Sequence, residues 1–240
     1  MRPPLAVQFK KQSGAHMLVV ERDERLGFGV IYSAVLSSLA QRGADELRIE
    51  FIDLSSEDQP WADYPEAIEA AIPNTATVYS RRTMKPMISG LAKMVKSGET
   101  KAPTTLLVFF GIQRARDMTR ESGGFGLSRN QDEPDIHADL NIILREGPDV
   151  GVHMLVWTDT LANFMRRMDN SALAEFGHRL AGGVSSNDSI KLFDDQIGSK
   201  LSKENRMVAY DDERVGVYET IRPYLPPDRA WLDRYLASLC

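Results

Sequence analysis

A charged turn with two glycines follows the first apolar segment of the chain. Residues 16–20 (HMLVV) predict a buried strand, residues 21–29 (ERDERLGFG) a turn, and residues 30–41 an apolar helix. A strand, a glycine-containing turn and a helix are the frame of a phosphate-binding loop, in which backbone N–H groups wrap the phosphates of a nucleotide. This order of elements therefore predicts the architecture of a nucleotide-binding site.

The residues that would make this loop bind a nucleotide are missing. A loop of the form GxxxxGK[ST] uses its Lys to meet the phosphate charge and its hydroxyl to hold Mg²⁺. Residues 12–84 contain no Lys, and Asp23 and Glu24 would repel a triphosphate. Two interpretations follow: a plain surface turn, or weak non-hydrolytic nucleotide binding through the backbone of Gly27 and Gly29 at the start of the helix.

Composition and charge set the class of the protein. The chain has 240 residues, 42% of them hydrophobic and 26% charged, which is typical of globular proteins. It has neither an apolar run of about 18 residues nor a signal peptide, so we expect no membrane span. The one cysteine is Cys240, which excludes a disulfide framework and predicts a cytoplasmic location. A net charge of −5 argues against coating nucleic acid by bulk charge, but leaves room for a local basic patch.

Apolar strands alternate with helices along the rest of the chain. We predict strands at residues 4–10, 47–54, 75–79, 104–110, 152–158 and 178–184, and helices at residues 83–98, 136–146, 161–176, 185–193 and 228–239. Alternation of this kind implies an α/β domain whose mostly parallel sheet is covered by helices on both faces. Residues 206–210 and 214–220 predict a closing hairpin, and residues 119–135 a mobile polar loop.

Several segments resemble, in order and spacing, the motor domain of the FtsK/SpoIIIE DNA translocases, within the HerA/FtsK group of RecA-like ATPases. They are residues 46–53 (ELRIEFID), 145–154 (REGPDVGVHM), 178–189 (HRLAGGVSSNDS), 197–201 (IGSKL), 206–210 (RMVAY) and 222–227 (RPYLPP). The likeness covers nearly the whole chain. It implies a RecA-like P-loop NTPase sandwich with a mostly parallel central sheet, helices on both faces and a C-terminal β-hairpin extension.

The chain departs from that family's pattern where nucleotide chemistry is performed. The Lys and Ser/Thr should fall near residues 26–28, and an acidic pair should follow the strand at 104–110. Hydrolysis needs phosphate cradling, metal charge and an oriented water together, so these two losses indicate an inactive domain without catalytic residues. The resemblance leaves a vestigial nucleotide site made of Arg22, Asp23, Arg25, Gly27, Gly29, Gly111, Gln113, Thr158 and Asp159.

Arginines outside this loop are candidates for interfaces. Arg114, Arg116 and Arg120 follow the degenerate acidic motif and would reach a neighbour's nucleotide site if they act as arginine fingers do in ring ATPases. Arg179 begins a strand where the family also has an arginine, with a structural ion pair as the alternative role.

Arg81, Arg82 and Lys85 precede a helix and are candidates for contact with a nucleic-acid backbone or a neighbouring subunit, against plain solvated charge. The four histidines lack the spacing of metal ligands, so we predict no metal site.

Three functions remain open. The first is a catalytically degenerate domain that gives assembly or regulatory interfaces to a larger ATP-driven translocase of DNA or protein, with ATP and Mg²⁺ bound weakly here or in a partner domain. The second is an active motor in which Arg22 or Arg25 replaces the Lys, although a planar guanidinium does not reproduce the compact ammonium. The third is a peptide-binding module that accepts a signal segment in the vestigial cleft.

The resemblance also bears on partners. Tandem-motor EccC-like relatives of type VII secretion carry several such domains in one chain. We therefore expect residues 1–240 to form a single domain from the C-terminal part of a longer protein. The expected partners are other ATPase domains or subunits, with double-stranded DNA or a signal peptide as the substrate.

Overall fold

A computed structural model describes residues 5–43, 45–98, 103–118, 135–168, 170–201 and 204–239. Residues 119–134 of the predicted polar loop, and with them Arg120, lie outside the described residues. None of the helices in the described part of the chain is long and apolar enough to cross a bilayer.

Eight strands form one twisted sheet in the order β3-β2-β4-β5-β1-β6-β7-β8. Their bounds are β1 Met17–Val20, β2 Leu47–Asp53, β3 Ala76–Tyr79, β4 Thr104–Phe110, β5 Val152–Thr158, β6 His178–Ala181, β7 Met207–Asp211 and β8 Tyr218–Ile221. Strands β1 to β6 pair with one another in parallel, and β7 and β8 add an antiparallel hairpin next to β6 at one edge. The mostly parallel sheet and its C-terminal hairpin extension are confirmed.

The helices cover both faces of this sheet. Their bounds are α1 Glu24–Gln41, α2 Tyr64–Ala71, α3 Met84–Ser97, α4 Ile136–Glu146, α5 Leu161–Arg167, α6 Ser186–Phe193 and α7 Arg229–Ala237. Side-chain oxygens start several of them: Asp135 accepts from the N–H of His137, and Ser185 accepts from the N–H of Asp188. Such caps satisfy N–H groups that have no partner within the first helical turn.

Strand side chains alternate between two hydrophobic cores. In β1, Leu18 and Val20 belong to a core formed with α3, α4, α5 and α6, whereas Met17 and Val19 belong to a core formed with α1, α2 and α7. Because successive residues of a strand point to opposite faces, a strand between two helix layers must be apolar at every position. This explains the unbroken apolar runs of the central strands.

Several local predictions are wrong, among them the helix at residues 161–176, which ends at Arg167. Residues 5–10 lie outside any strand, although Leu5, Val7 and Phe9 pack on the core with the alternation of one. Helix α1 begins at Glu24 instead of residue 30 because Asp23 caps it. Helix α2 was not predicted: it has only eight residues and a proline in its first turn, so it offers little periodicity.

Candidate functional site

The carboxyl ends of β1, β4, β5 and β6 meet at one edge of the sheet, and the residues predicted for the vestigial nucleotide site follow three of these strands. After β1 the chain crosses to β2 on one side, whereas β6 lies on the other side of β1. In parallel sheets such a change of direction leaves a crevice beyond the strand ends, and ligands bind there. The segments that line this edge are residues 21–23, 111–114, 159–160 and 182–185.

Only residues 21–23 separate β1 from helix α1, which begins at Glu24, so the predicted turn over residues 21–29 is wrong. Asp23 is the N-cap of α1, and its Oδ1 accepts the N–H of Arg25 at 3.0 Å. Gly27 lies within the helix and donates its N–H to the carbonyl of Asp23 at 3.1 Å. The backbone of Gly27 and Gly29 therefore does not form an anion-wrapping loop.

Both glycines serve close packing instead. A Cβ on Gly27 would lie 2.1 Å from Nε1 of Trp157, and a Cβ on Gly29 would lie 1.9 Å from the carbonyl oxygen of Tyr224. These distances are far below van der Waals contact, so helix α1 can reach strand β5 and the C-terminal segment only with glycine at both positions. Neither neighbour could be predicted from the residues around the glycines, because both are more than a hundred residues away along the chain.

The charged residues of this segment bind one another. Arg25 is exposed and forms a salt bridge with Asp23 at 2.7 Å, while Arg22 points to solvent. Glu21 folds inward, and its Oε1 accepts the N–H of Asp23 at 2.9 Å. Its Oε2 lies so close to Gly182 that a Cβ there would be 1.8 Å away. Burial raises the pKa of the Glu21 carboxyl.

An ion pair ties the start of α1 to the turn after β4. Nη2 of Arg114 lies 2.6 Å from Oε2 of Glu24, and Nη1 of Arg114 donates to the carbonyl of Leu54 at 3.0 Å. The guanidinium also lies over the ring of Trp157, 5.7 Å from its centroid. Arg114 thus uses its donors and its flat face within its own chain, at the site where the family pattern places metal and phosphate chemistry.

The remaining residues of the vestigial site form a turn or hydrogen bonds within the chain. Gly111 has φ +83° and begins the 3₁₀ turn Ile112–Arg114. The carbonyl of Gln113 accepts from Nη2 of Arg167 at 3.1 Å. Asp159 accepts from Nδ2 of Asn163 at 2.9 and 3.1 Å.

Two buried polar groups complete this edge. The buried Thr158 hydroxyl donates to the carbonyl of Thr160 at 3.2 Å. Oε1 of Gln113 is buried without a hydrogen-bond partner among the described residues. It is an amide oxygen at the position where the family's acids would stand.

The other residues predicted to contact a partner fall into two groups: Arg179 is bound within this chain, and the rest are exposed basic side chains. Arg179 donates from Nε to the carbonyl of Phe176 at 2.7 Å and from Nη1 to the carbonyl of Leu192 at 3.0 Å, and it lies over the ring of Tyr210. The contacts that the structure describes for Arg179 are thus two backbone carbonyls and an aromatic ring, which hold this side chain within its own chain.

Exposed basic residues lie beside the turn after β4. Arg81 donates to the carbonyl of Arg114 at 2.9 Å, which places it next to that turn. Arg82, Lys85 and Arg116 are exposed.

The cavity left at this edge is small. A space of about 50 Å³ lies between the segment after β1, the segment after β5 and the start of α6, lined by Glu21, Asp159 and Asp188 among others. Pockets that hold drug-sized or cofactor-sized molecules enclose about 300–1,000 Å³. Within the described residues, no group of three or more His, Cys, Asp or Glu side chains is arranged to hold a metal ion.

No protein-family model and no curated protein matches the sequence, but solved structures match the fold. EssC (ATPases 2 and 3) from Geobacillus thermodenitrificans superposes with a TM-score of 0.62 at 12% identity over 93% of this chain. EccC (ATPases 2 and 3) from Thermomonospora curvata, in complex with a signal sequence peptide, gives a TM-score of 0.63 at 12% identity over 95%. The cytoplasmic domain of the T. curvata type VII secretion ATPase EccC gives 0.70 at 14% identity over 98%.

This chain spans 43%, 42% and 29% of those three structures, respectively, which is less than half of each. At identities of 12–14% the likeness shows the fold. The predicted RecA-like P-loop ATPase fold is confirmed.

Proposed function

We propose that this chain is a catalytically degenerate FtsK/SpoIIIE-type domain that gives assembly or regulatory interfaces to a larger ATP-driven translocase. In this proposal residues 1–240 are one domain of a longer protein, and hydrolysis takes place in partner ATPase domains or subunits. The structures with the same fold include proteins named for tandem ATPases, which supports a partner of this kind.

The Glu24–Arg114 ion pair is the observation that carries this proposal. Its 2.6 Å contact closes the gap between α1 and the turn after β4, where a P-loop enzyme needs room for phosphates and metal. The pair is only partly exposed, with 15% of the Glu24 side chain and 34% of the Arg114 side chain accessible. Opening the site would separate two charges that have few replacement partners, so nucleotide entry carries an energetic cost.

An active motor that uses an arginine in place of the Lys has less support. Arg25 is already paired with Asp23, and Arg22 is exposed to solvent, although it also borders the small cavity at the strand ends. Glu21 from the same segment lines that cavity too, and its negative charge would oppose a triphosphate.

Peptide recognition is the second candidate function. A solved structure with this fold was determined with a signal sequence peptide bound, which supports a protein substrate for the proposed translocase over DNA. The same structures include one named as a cytoplasmic domain, and we place this domain in the cytoplasm as well. The cavity of about 50 Å³ at the vestigial site is too small for a peptide, so recognition would use another surface.

Nucleotide binding with and without Mg²⁺ tests the proposal. We expect the full chain to show no Mg²⁺-dependent binding of ATP below about 1 mM, which corresponds to about −4 kcal/mol, and no phosphate release above the buffer rate. An Arg25→Ala variant serves as the check on the alternative motor. Tight Mg²⁺-dependent binding with turnover that Arg25→Ala abolishes would show an active enzyme and overturn the proposal.

A further inference from the structure

A second cavity lies away from the vestigial site, between α3, the amino-terminal halves of β2 and β4, and Tyr79 at the carboxyl end of β3. This α3 groove has a volume of about 690 Å³. Arg48, Glu50 and Tyr79 form its floor, and Met87, Leu91 and Met94 of α3 form its wall. Its volume is within the range of ligand pockets, and it is more than ten times larger than the cavity at the vestigial site.

The groove exists because one face of β2 lacks a covering helix at its start. Leu47, Ile49 and Phe51 are buried in the core beneath α1 and α2. On the opposite face Ile52 is buried against α3, whereas Arg48 is exposed and Glu50 half-buried. A parallel sheet between helix layers is normally apolar on both faces, so two charged residues at this position mark a face built for another kind of contact.

The wall of the groove has the spacing of a helix-packing surface. Met87, Leu91 and Met94 occur at positions i, i+4 and i+7 of α3 and are half-buried. Residues with this spacing form a stripe along a helix that accepts the ridge of a second helix. Methionine side chains adapt to irregular apolar partners, so the wall is suited to a ligand from another chain.

The floor adds a charge pattern. Arg48 and Glu50 are two residues apart on the same face of β2, about 7 Å from each other along the strand. Burial raises the pKa of Glu50, whereas the neighbouring Tyr79 side chain and the charge of Arg48 act to lower it. Oε2 of Glu50 has no hydrogen-bond partner among the described residues. A ligand that carries a basic group toward Glu50 and an acidic group toward Arg48 would complement both charges.

We propose that the α3 groove binds an amphipathic α-helix of a partner protein. The helix would place apolar residues at i, i+4 and i+7 on α3 and a base and an acid over Glu50 and Arg48. This inference names the kind of partner in the proposed function, and it rests on the second candidate given there, peptide recognition. Addition of an extended peptide to the edge strand β3 is disfavoured, because the outward N–H of Val78 is already bonded to Oε1 of Glu69 at 3.1 Å.

A designed peptide library tests this site. The probes are 16-residue helical peptides with leucine fixed at i, i+4 and i+7 and with Lys, Glu or Ser at the flanking positions, selected on the full chain and measured by fluorescence anisotropy. We expect selected peptides to bind Leu91→Asp at least 10-fold more weakly and Glu50→Gln several-fold more weakly. Ile190→Asp, which changes an exposed apolar residue of α6, is the matched control and should bind as the unmodified chain does.

The charge order provides a second readout that does not depend on the wall. The exchange variant Arg48→Glu with Glu50→Arg should prefer peptides in which acid and base are reversed. The proposal that the α3 groove binds a helix would be overturned if no peptide can be selected. It would also be overturned if Leu91→Ala, Leu91→Asp and the unmodified chain bind the selected peptides equally. If the chain hydrolyses ATP and still binds the peptides, only the proposal of a degenerate ATPase is overturned. If it neither binds nor hydrolyses ATP and also fails to bind the peptides, only the proposal for the α3 groove is overturned.

Discussion

Two buried histidines near the amino ends of the central strands hold single, fixed hydrogen-bond arrangements. Nδ1 of His16 accepts the N–H of Met154 at 2.8 Å, and its Nε2 bonds the carbonyl of Leu144 at 2.9 Å. Nδ1 of His153 bonds the carbonyl of Ala15 at 2.8 Å. Burial lowers the pKa of both rings to about 4. Each ring is therefore neutral in the folded protein at pH 7, and both ring nitrogens of His16 already have hydrogen-bond partners.

Acid should destabilise the protein through these rings. In the unfolded chain His16 and His153 bind protons below about pH 6.5. In the folded chain the same two rings bind protons only below about pH 4. Stability is therefore lost as pH falls through this window, by up to about 3 kcal/mol for each ring. Urea unfolding between pH 4.5 and 7.5 should show this slope. His16→Gln should flatten it, and His137→Gln on α4 should not; an unchanged slope in His16→Gln would contradict the assignment.

Asp53 behaves in the opposite sense. Its Oδ1 accepts the N–H of Ser55 at 2.6 Å, but Oδ2 is buried without a partner among the described residues. Burial raises the pKa of its carboxyl to about 6. The folded state therefore holds a proton that the unfolded state releases near pH 4, and stability falls as pH rises from about 4 to about 6.

Replacement of Asp53 by Asn should remove this cost. At pH 7.5 we expect Asp53→Asn to stabilise the chain by about 1–2 kcal/mol, and at pH 4.5 to change it little, because the native carboxyl is then protonated. Thermal and urea unfolding at the two pH values provide the measurement. Asp58→Asn, at an exposed position of the following loop, is the control. Destabilisation by Asp53→Asn at pH 7.5 would show that the carboxylate has a stabilising role instead.

At the scale of elements, helix α1 approaches β5 more closely than any residue with a side chain would permit. Trp157 stacks on Phe110 at 4.4 Å and donates its indole N–H to the carbonyl of Glu21 at 3.0 Å. The ring is thus fixed from two sides and cannot move away from Gly27. The position of α1, and with it the closed entry after β1, depends on this contact.

Gly27→Ala and Gly90→Ala should therefore have effects of opposite sign. The added methyl at Gly27 would overlap the Trp157 ring, and we expect a loss of at least about 2–3 kcal/mol. Gly90 lies on the exposed side of α3 with no atom within 4 Å, so its replacement should stabilise the chain by about 0.5–1 kcal/mol. Chemical denaturation of both variants gives the comparison, and a neutral Gly27→Ala would mean that α1 can shift.

At the scale of the whole molecule, charge is unevenly distributed. The chain has a net charge of −5, yet Arg81, Arg82, Lys85 and Arg116 are exposed at or near the carboxyl edge of the sheet. Arg81 joins this group to the turn after β4 through the carbonyl of Arg114. A patch of this size attracts phosphates locally, while the remainder of the surface repels them.

Any binding of duplex DNA by these basic residues should be weak, and its affinity should fall quickly as the salt concentration rises. If Arg81, Arg82 and Lys85 contact phosphates, the logarithm of affinity should fall with the logarithm of salt concentration with a slope near −3. Their joint replacement by alanine should abolish the binding, whereas Arg48→Ala, near the amino end of β2, should leave it unchanged. A fluorescence titration at several salt concentrations decides this. A slope independent of the triple replacement would exclude these residues as DNA contacts.

Much of the fold was determined by local sequence. Apolar strands such as residues 104–110 and 152–158 need helices on both faces, which fixes a layered α/β architecture before any contact is known. The starts of the helices predicted at residues 136–146 and 185–193 agree with the structure to within one residue, because Asp135 and Ser185 cap them through bonds that span only two or three residues. The absence of Lys from residues 12–84 was visible from residue types alone.

Tertiary structure decided what now occupies the vestigial site. Glu24 and Arg114 are 90 residues apart, and Gly27 and Trp157 are joined only because β5 lies beside β1. The same holds for the α3 groove, whose floor and wall come from different elements. Local propensity acts over a few residues, whereas ion pairs, close approaches and cavities depend on which distant segments the sheet order brings together, and no short-range pattern encodes that order.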